Sequence, residues 1–244
     1  MITIFRSIRK ALLADSKFSK YLVYALGEIL LVVIGILLAL QINTWSAEKN
    51  ARAKEQLYLK SFQNDIENNI SQLDRVINKS SETLGATDSL LRYAQGQLKL
   101  PTIEAFEALI MGATNYTIFM SQEGTINDIF GSGDLALIQN DSIRKAMVNW
   151  AADLKYLKEF ETLGKDNQLR YIGHLLENAP MYRKTRQQNF IDQEVAEQLL
   201  KDTQFLNLVS EQKHMAQELN WLYQNQRAKM EAILEQVHQN IDTP

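Results

Sequence analysis

The chain has 244 residues, of which 45% are hydrophobic and 23% charged, with a net charge of −3. Residues 1–47 carry Arg6, Arg9, Lys10, Lys17 and Lys20 against Asp15 and Glu28, which leaves the rest of the chain at −6. An acidic remainder argues against nucleic acid as a partner, because phosphate binding needs a basic face. The lack of cysteine excludes a disulfide framework, a thiolate metal site and a cysteine nucleophile. Three prolines and ten glycines favour long helices over a sandwich or barrel.

Residues 1–20 read as a basic amphipathic cytoplasmic segment. Phe5, Ile8 and Leu12 share one helical face, with Arg6, Arg9 and Lys10 elsewhere, as in a helix lying on a membrane surface. Residues 21–46 read as a transmembrane helix. No charge occurs from Ile29 to Ala47, and nineteen helical residues cover about 28 Å of a hydrocarbon core of about 30 Å. The uncharged run is longer than a signal-peptide core, and its exit, LQINTWSA, is bulky rather than a small-residue cleavage site. Tyr21, Tyr24 and Trp45 suit the two interfaces. The basic N-terminus favours an inside start and an outside C-terminal domain; in a Gram-negative cell that is the inner membrane, with a cytoplasmic N-terminus and a periplasmic domain.

Glu28 breaks the pattern of an inert anchor. A carboxylate inside a span either reaches from a shallow position towards the headgroups or has to pair, protonate or face protein. Glu28, Gly35, Ala39 and Ile42 fall on one helical face, and Gly35 with Ala39 forms a small-xxx-small element that admits close helix approach. This face is the candidate packing surface for a homo-oligomer.

The remaining 47–244 read as a helical domain. Ile66, Ile70, Leu73, Ile77, Ser80, Leu84, Thr87 and Leu91 alternate by four and three, a heptad seam of a coiled coil or elongated bundle that continues the membrane helix. Gly96 and Pro101 mark a turn, Thr102 starts a short helix, and Gly112 is its expected stop. Residues 113–124 form an unusually apolar loop whose Tyr116, Ile118, Phe119 and Met120 are the candidate pocket or partner contact. TINDIF then precedes Gly131-Ser132-Gly133, a helix end and tight corner. Asn140, Asp141 or Ser142 caps a helix to about Leu163, and residues 166–178 form another. Asp202 or Thr203 caps a final helix to about Ile241, long enough to lie antiparallel to the first.

Chemistry is not legible. His174, His214 and His238 are 24 or more residues apart and form no metal-ligating pair. No P-loop, dinucleotide fingerprint, nucleophile elbow or zinc-protease motif occurs. The expectation is therefore a non-enzyme, with no cofactor and no metal.

The stretch KYLVYALGEILLVVIGILLALQINTW resembles the N-terminal signature of an uncharacterised family of bacterial single-span membrane proteins, Y-A-x-G-E-I-x-L-V-x-I-G-I-L-x-A-L-Q-I-N-x-W. Tyr24, Ala25, Gly27, Glu28, Ile29, Gly35, Ala39, Gln41, Asn43 and Trp45 carry the match, and SGDLALIQNDSIRKAM resembles a second segment of that family. Ser46 departs from the usual asparagine or aspartate. The resemblance implies an envelope protein whose function is unknown and brings no catalytic residues. The expectation is an all-α, membrane-anchored structural or interaction component with the lipid bilayer, a second copy or another envelope protein as partner. A periplasmic ligand-sensing module with a separate signalling partner, and an ion-translocating subunit using Glu28, are the alternatives.

Overall fold

Proline is absent before residue 101, and only Gly27, Gly35 and Gly85 precede Gly96. Little in the backbone therefore interrupts a helix once it has begun. A computed structural model describes residues 18–186 and 188–241. Helix α1 runs unbroken over Phe18–Ala94. It stops at Gly96, whose φ of 69° is left-handed. The Gln97 N–H donates to the Arg92 carbonyl and the Gly96 N–H to the Tyr93 carbonyl, the paired bonds that close a helix through glycine. The amphipathic segment expected before residue 18 lies outside the described residues.

Five further helices follow: α2 (Ile103–Ala113), α3 (Gly124–Ser132), α4 (Asp141–Asn178), α5 (Gln193–Leu199) and α6 (Thr203–Asn240). Short 3₁₀ turns lie at Asp134–Leu137 and Met181–Arg186, and no strand occurs among the described residues. The chain is all-α, as the sequence predicts. The caps are the expected ones. The Thr102 side chain accepts from the Ala105 N–H, that of Asn140 from Ser142 and Ile143, and that of Asp202 from Gln204. Gly133 closes α3 at φ 76°.

The chain divides into two compact units after Glu55. In the first, α1 is apolar and open, and none of its apolar window is buried. It is the one described helix long and apolar enough to cross a membrane.

The second unit is a helical bundle built on three long helices: the part of α1 beyond Glu55, α4 and α6. Helix α6 is antiparallel to both others. Arg227 and Lys213 of α6 pair with Asp74 and Asp88 of α1, while Lys229 and Arg170 join α6 to α4 through Asp153 and Glu211. One core cluster joins Phe62, Ile66 and Leu73 to Trp150, Leu154, Tyr223 and Met230. A second joins Leu90, Phe106, Ile110, Tyr171, Phe190 and Phe205. The second cluster is closed by His174, whose Nε2 lies 2.6 Å from Oδ2 of Asp202 and whose ring stacks on Phe205.

Three details depart from the sequence reading. The buried line on α1 is Leu59, Phe62, Ile66, Asn69, Leu73, Ser80, Thr83, Thr87 and Leu90. It shares Ile66, Leu73, Ser80 and Thr87 with the expected seam. Its other track falls one residue earlier than Ile70, Ile77, Leu84 and Leu91, which are only half-buried. Gly112 does not stop α2; a Cβ there would lie 2.9 Å from Cβ of Ala86, so the glycine serves close helix approach. Gly164 likewise does not split α4, because its bare face seats Leu219 and Met215 of α6, 3.2 and 3.3 Å from an added Cβ.

Candidate functional site

Two places gather the residues singled out in the sequence, one in each unit. In the first unit Glu28, Gly35, Ala39 and Ile42 are all exposed on α1. A Cβ built on Gly35 meets nothing within 4 Å. Spacings of seven, four and three put the four residues on one helical face. Around them Leu31, Leu37 and Leu38 are 58–73% exposed. An apolar helical surface of this extent is long and apolar enough to cross a membrane.

In the second unit the loop between α2 and α3 is held by buried polar side chains. Glu161 lies on the inward face of α4 in register with Leu154 and Leu157, and is only 3% exposed. Its Oε1 accepts from the Phe119 backbone N–H at 2.7 Å and from the Tyr223 hydroxyl at 2.9 Å. The Tyr223 hydroxyl also reaches the Thr117 carbonyl at 3.1 Å. The Tyr116 hydroxyl donates to the Glu161 backbone carbonyl at 2.9 Å. Downstream, the Asn69 amide donates to the Gln122 carbonyl at 2.9 Å and accepts the Gln122 N–H at 2.7 Å. Asp65 accepts the Thr125 N–H at 3.0 Å, at the start of α3.

Burial raises the Glu161 pKa; the Phe119 N–H, the Tyr223 hydroxyl and Lys158 oppose it without cancelling it. Burial, and then the Glu161 charge, push the Tyr223 hydroxyl up as well. These groups form a hydrogen-bonded tether in a largely buried place, where hydrogen bonds are strong and unmet ones costly.

The four loop residues divide. Phe119 enters the core and meets Trp150 edge-on, with ring centroids 6.5 Å apart. Tyr116 borders a cavity of about 20 Å³ beside Thr83, Thr117, Gly164 and Gln212, which is room for one water molecule. Ile118 and Met120 face outward, 52% and 73% exposed. Sequence reasoning missed Glu161, Tyr223 and Asn69. A signal for the first existed: Glu161 sits four residues after Leu157 on the apolar line of α4. Among the described residues no group of three or more His, Asp or Glu is placed to hold a metal ion.

These features define a class: an all-α protein that combines one candidate membrane helix with a tethered helical bundle. Its family follows from comparison with known proteins. The profile of a family of unknown function, DUF6090, matches residues 28–211, three quarters of the chain, and the protein belongs to that family. The match begins at Glu28 itself and takes in Gly35, Asn69, the loop and Glu161. No curated protein and no solved structure matches the chain.

Proposed function

We propose that this protein is a membrane-anchored, non-enzymatic structural or interaction component of the bacterial cell envelope. In this reading residues 21–46 cross the inner membrane, the N-terminus is cytoplasmic and the bundle is periplasmic. The observation that carries the reading is the uniform exposure of the apolar turns of α1, which needs a nonaqueous surrounding. The basic residues before the span supply the orientation. Assembly is proposed through the face of Glu28, Gly35, Ala39 and Ile42, where the bare Gly35 lets a second helix come close.

Reporter fusions after Pro244 test the topology. A reporter active only in the periplasm should be active there, and one active only in the cytoplasm should be silent. The reverse result overturns the orientation, and recovery of a mature chain starting near Ala47 overturns the anchor.

A further inference from the structure

The outward sides of α4 and α6 carry two stripes. On α4 the exposed Lys145, Val148, Tyr156, Leu163 and Asp166 share the face opposite the buried Leu154, Leu157 and Glu161. On α6 the exposed His214, Trp221, Ala228 and Glu235 repeat every seven residues, opposite the buried Ala216, Tyr223 and Met230, which repeat likewise. The ion pairs Asp153–Lys229 at 2.7 Å and Arg170–Glu211 at 3.0 Å join the two helices between the stripes. They hold α4 and α6 as one antiparallel layer in fixed register. Val148, Tyr156, Leu163 and Trp221 are 49–61% exposed. Among the described residues Lys145, Asp166, His214 and Glu235 make no ion pair. Exposed aromatic and aliphatic side chains flanked by unused charges mark a surface built for contact.

We propose that this layer packs on the same layer of a second copy of the chain, about a two-fold axis parallel to the long helices, with α4 of each copy against α6 of the other. Such an axis leaves every residue at its own height along the helices. The in-chain ion pairs therefore dictate the register, and nothing can slide to suit the charges. At that register Lys145 stands within a turn of Glu235 of the second copy, and Asp166 within a turn of its His214. The second pair matches in chemistry the His174–Asp202 contact inside the fold. Trp221 falls between Glu159 and Leu163, and Val148 lies on Ala232. Packing α4 on α4 about the same axis would instead set Lys145 on Lys145 and Asp166 on Asp166. Charge complementarity thus selects the exchanged arrangement, and an isologous contact repeats each pair twice. This contact goes beyond the assembly proposed for α1 and uses none of its residues.

The test is disulfide crosslinking of the full chain in the membranes of the expressing cell, where no native cysteine interferes. Differently tagged Lys145→Cys and Glu235→Cys chains are co-expressed and oxidised. The mixed crosslink should exceed either self-crosslink, and the crosslink of Lys145→Cys with Glu82→Cys on α1, about tenfold. It should persist when both chains also carry Gly35→Leu. The crosslink between Asp166→Cys and His214→Cys chains should fall about fivefold when both carry Lys145→Glu, for two exposed pairs reversed, and recover when Glu235→Lys is added. Self-crosslinks as strong as the mixed one, or equal crosslinking to Glu82→Cys, overturn the exchanged contact. Loss of the mixed crosslink with Gly35→Leu overturns it as an interface separate from α1. A double charge reversal no better than the single one overturns the register.

Discussion

The hydroxyl of Tyr223 donates to the carboxylate of Glu161 at 2.9 Å while the same oxygen of Glu161 accepts the backbone N–H of Phe119 at 2.7 Å. One carboxylate thus joins α4 to α6 and both to the loop. Glu161→Leu leaves that N–H and that hydroxyl buried without partners, and should cost about 3 kcal/mol of stability by denaturant titration. Glu161→Gln keeps an accepting oxygen and should cost far less.

The two variants differ in pH dependence as well. The folded-state pKa of Glu161 lies above its ordinary value because of burial. The folded protein therefore holds this proton more tightly than the unfolded chain does. Its contribution makes stability fall as pH rises from the ordinary glutamate range through the folded pKa. Asp202 behaves oppositely: its burial is outweighed by the N–H groups of Gln204 and Phe205 and by His174, so its pKa is lowered. That stabilisation is present above the ordinary aspartate range and is lost as pH falls through the folded value. Subtracting the Glu161→Gln curve from wild type should leave a negative slope above the ordinary glutamate range. Subtracting Asp202→Asn should leave a positive slope below the ordinary aspartate range. A flat difference in either case refutes the corresponding assignment.

Three helical glycines should respond to alanine in a fixed order. Gly173 has open space around an added Cβ, so Gly173→Ala should raise stability by about 1 kcal/mol through helix propensity alone. At Gly164 the neighbours are Cδ1 of Leu219 and Cγ of Met215, side-chain atoms at 3.2 and 3.3 Å that can give by a few tenths of an ångström, and the same gain should be roughly cancelled. At Gly112 the neighbour is Cβ of Ala86 at 2.9 Å, which cannot swing aside. Gly112→Ala should therefore cost about 1–3 kcal/mol as overpacking. Thermal melts of the three variants check the order.

The inward line of α1 predicts a second order. Leu73 is fully buried, and Leu73→Asp should cost about 4 kcal/mol or more. Ile70, half-buried at the edge of the core, should tolerate aspartate better, and Gln72→Asp should do least. Equal losses at positions 70 and 73 would restore the seam expected from the sequence.

On the membrane face, single cysteines at residues 28, 35, 39 and 42 should crosslink efficiently, and those at 30, 33 and 37 poorly, since no native cysteine interferes. Gly35→Leu should weaken the crosslinks by holding backbones apart. Glu28→Gln should preserve them if the side chain only bonds across helices. Efficiency without helical period removes the specific assembly.

The long helices were legible because apolar spacing and cap residues are local signals. Thr102, Asn140, Gly133 and Asp202 punctuate as their chemistry requires. The second track of the α1 seam was not legible, because its inward positions include Asn69 and Thr83, which apolarity does not mark. Ile70 and Ile77 beside them imitate the pattern one residue late. Gly112 reads as a stop, and α4 as two helices broken after Leu163, because a sequence does not show the helix packed on the bare side of Gly112 or Gly164. The short α5 was missed: it is only seven residues long, too brief for a period to stand out. The tether escaped for a related reason. Its partners are separated by 42 and 62 residues in sequence for Phe119 and Tyr223 with Glu161, and only the fold brings them together.

The amide of Asn69 presents to Gln122 the same donor and acceptor that a neighbouring strand would present, so a single side chain does the work of a sheet edge. Its grip falls on main-chain atoms and takes no account of which side chain the loop displays. Ile118 and Met120 can therefore be exchanged for other residues while the path of the loop stays fixed. The bundle in this way carries a short outward display whose shape is set by the scaffold rather than by the side chains it shows.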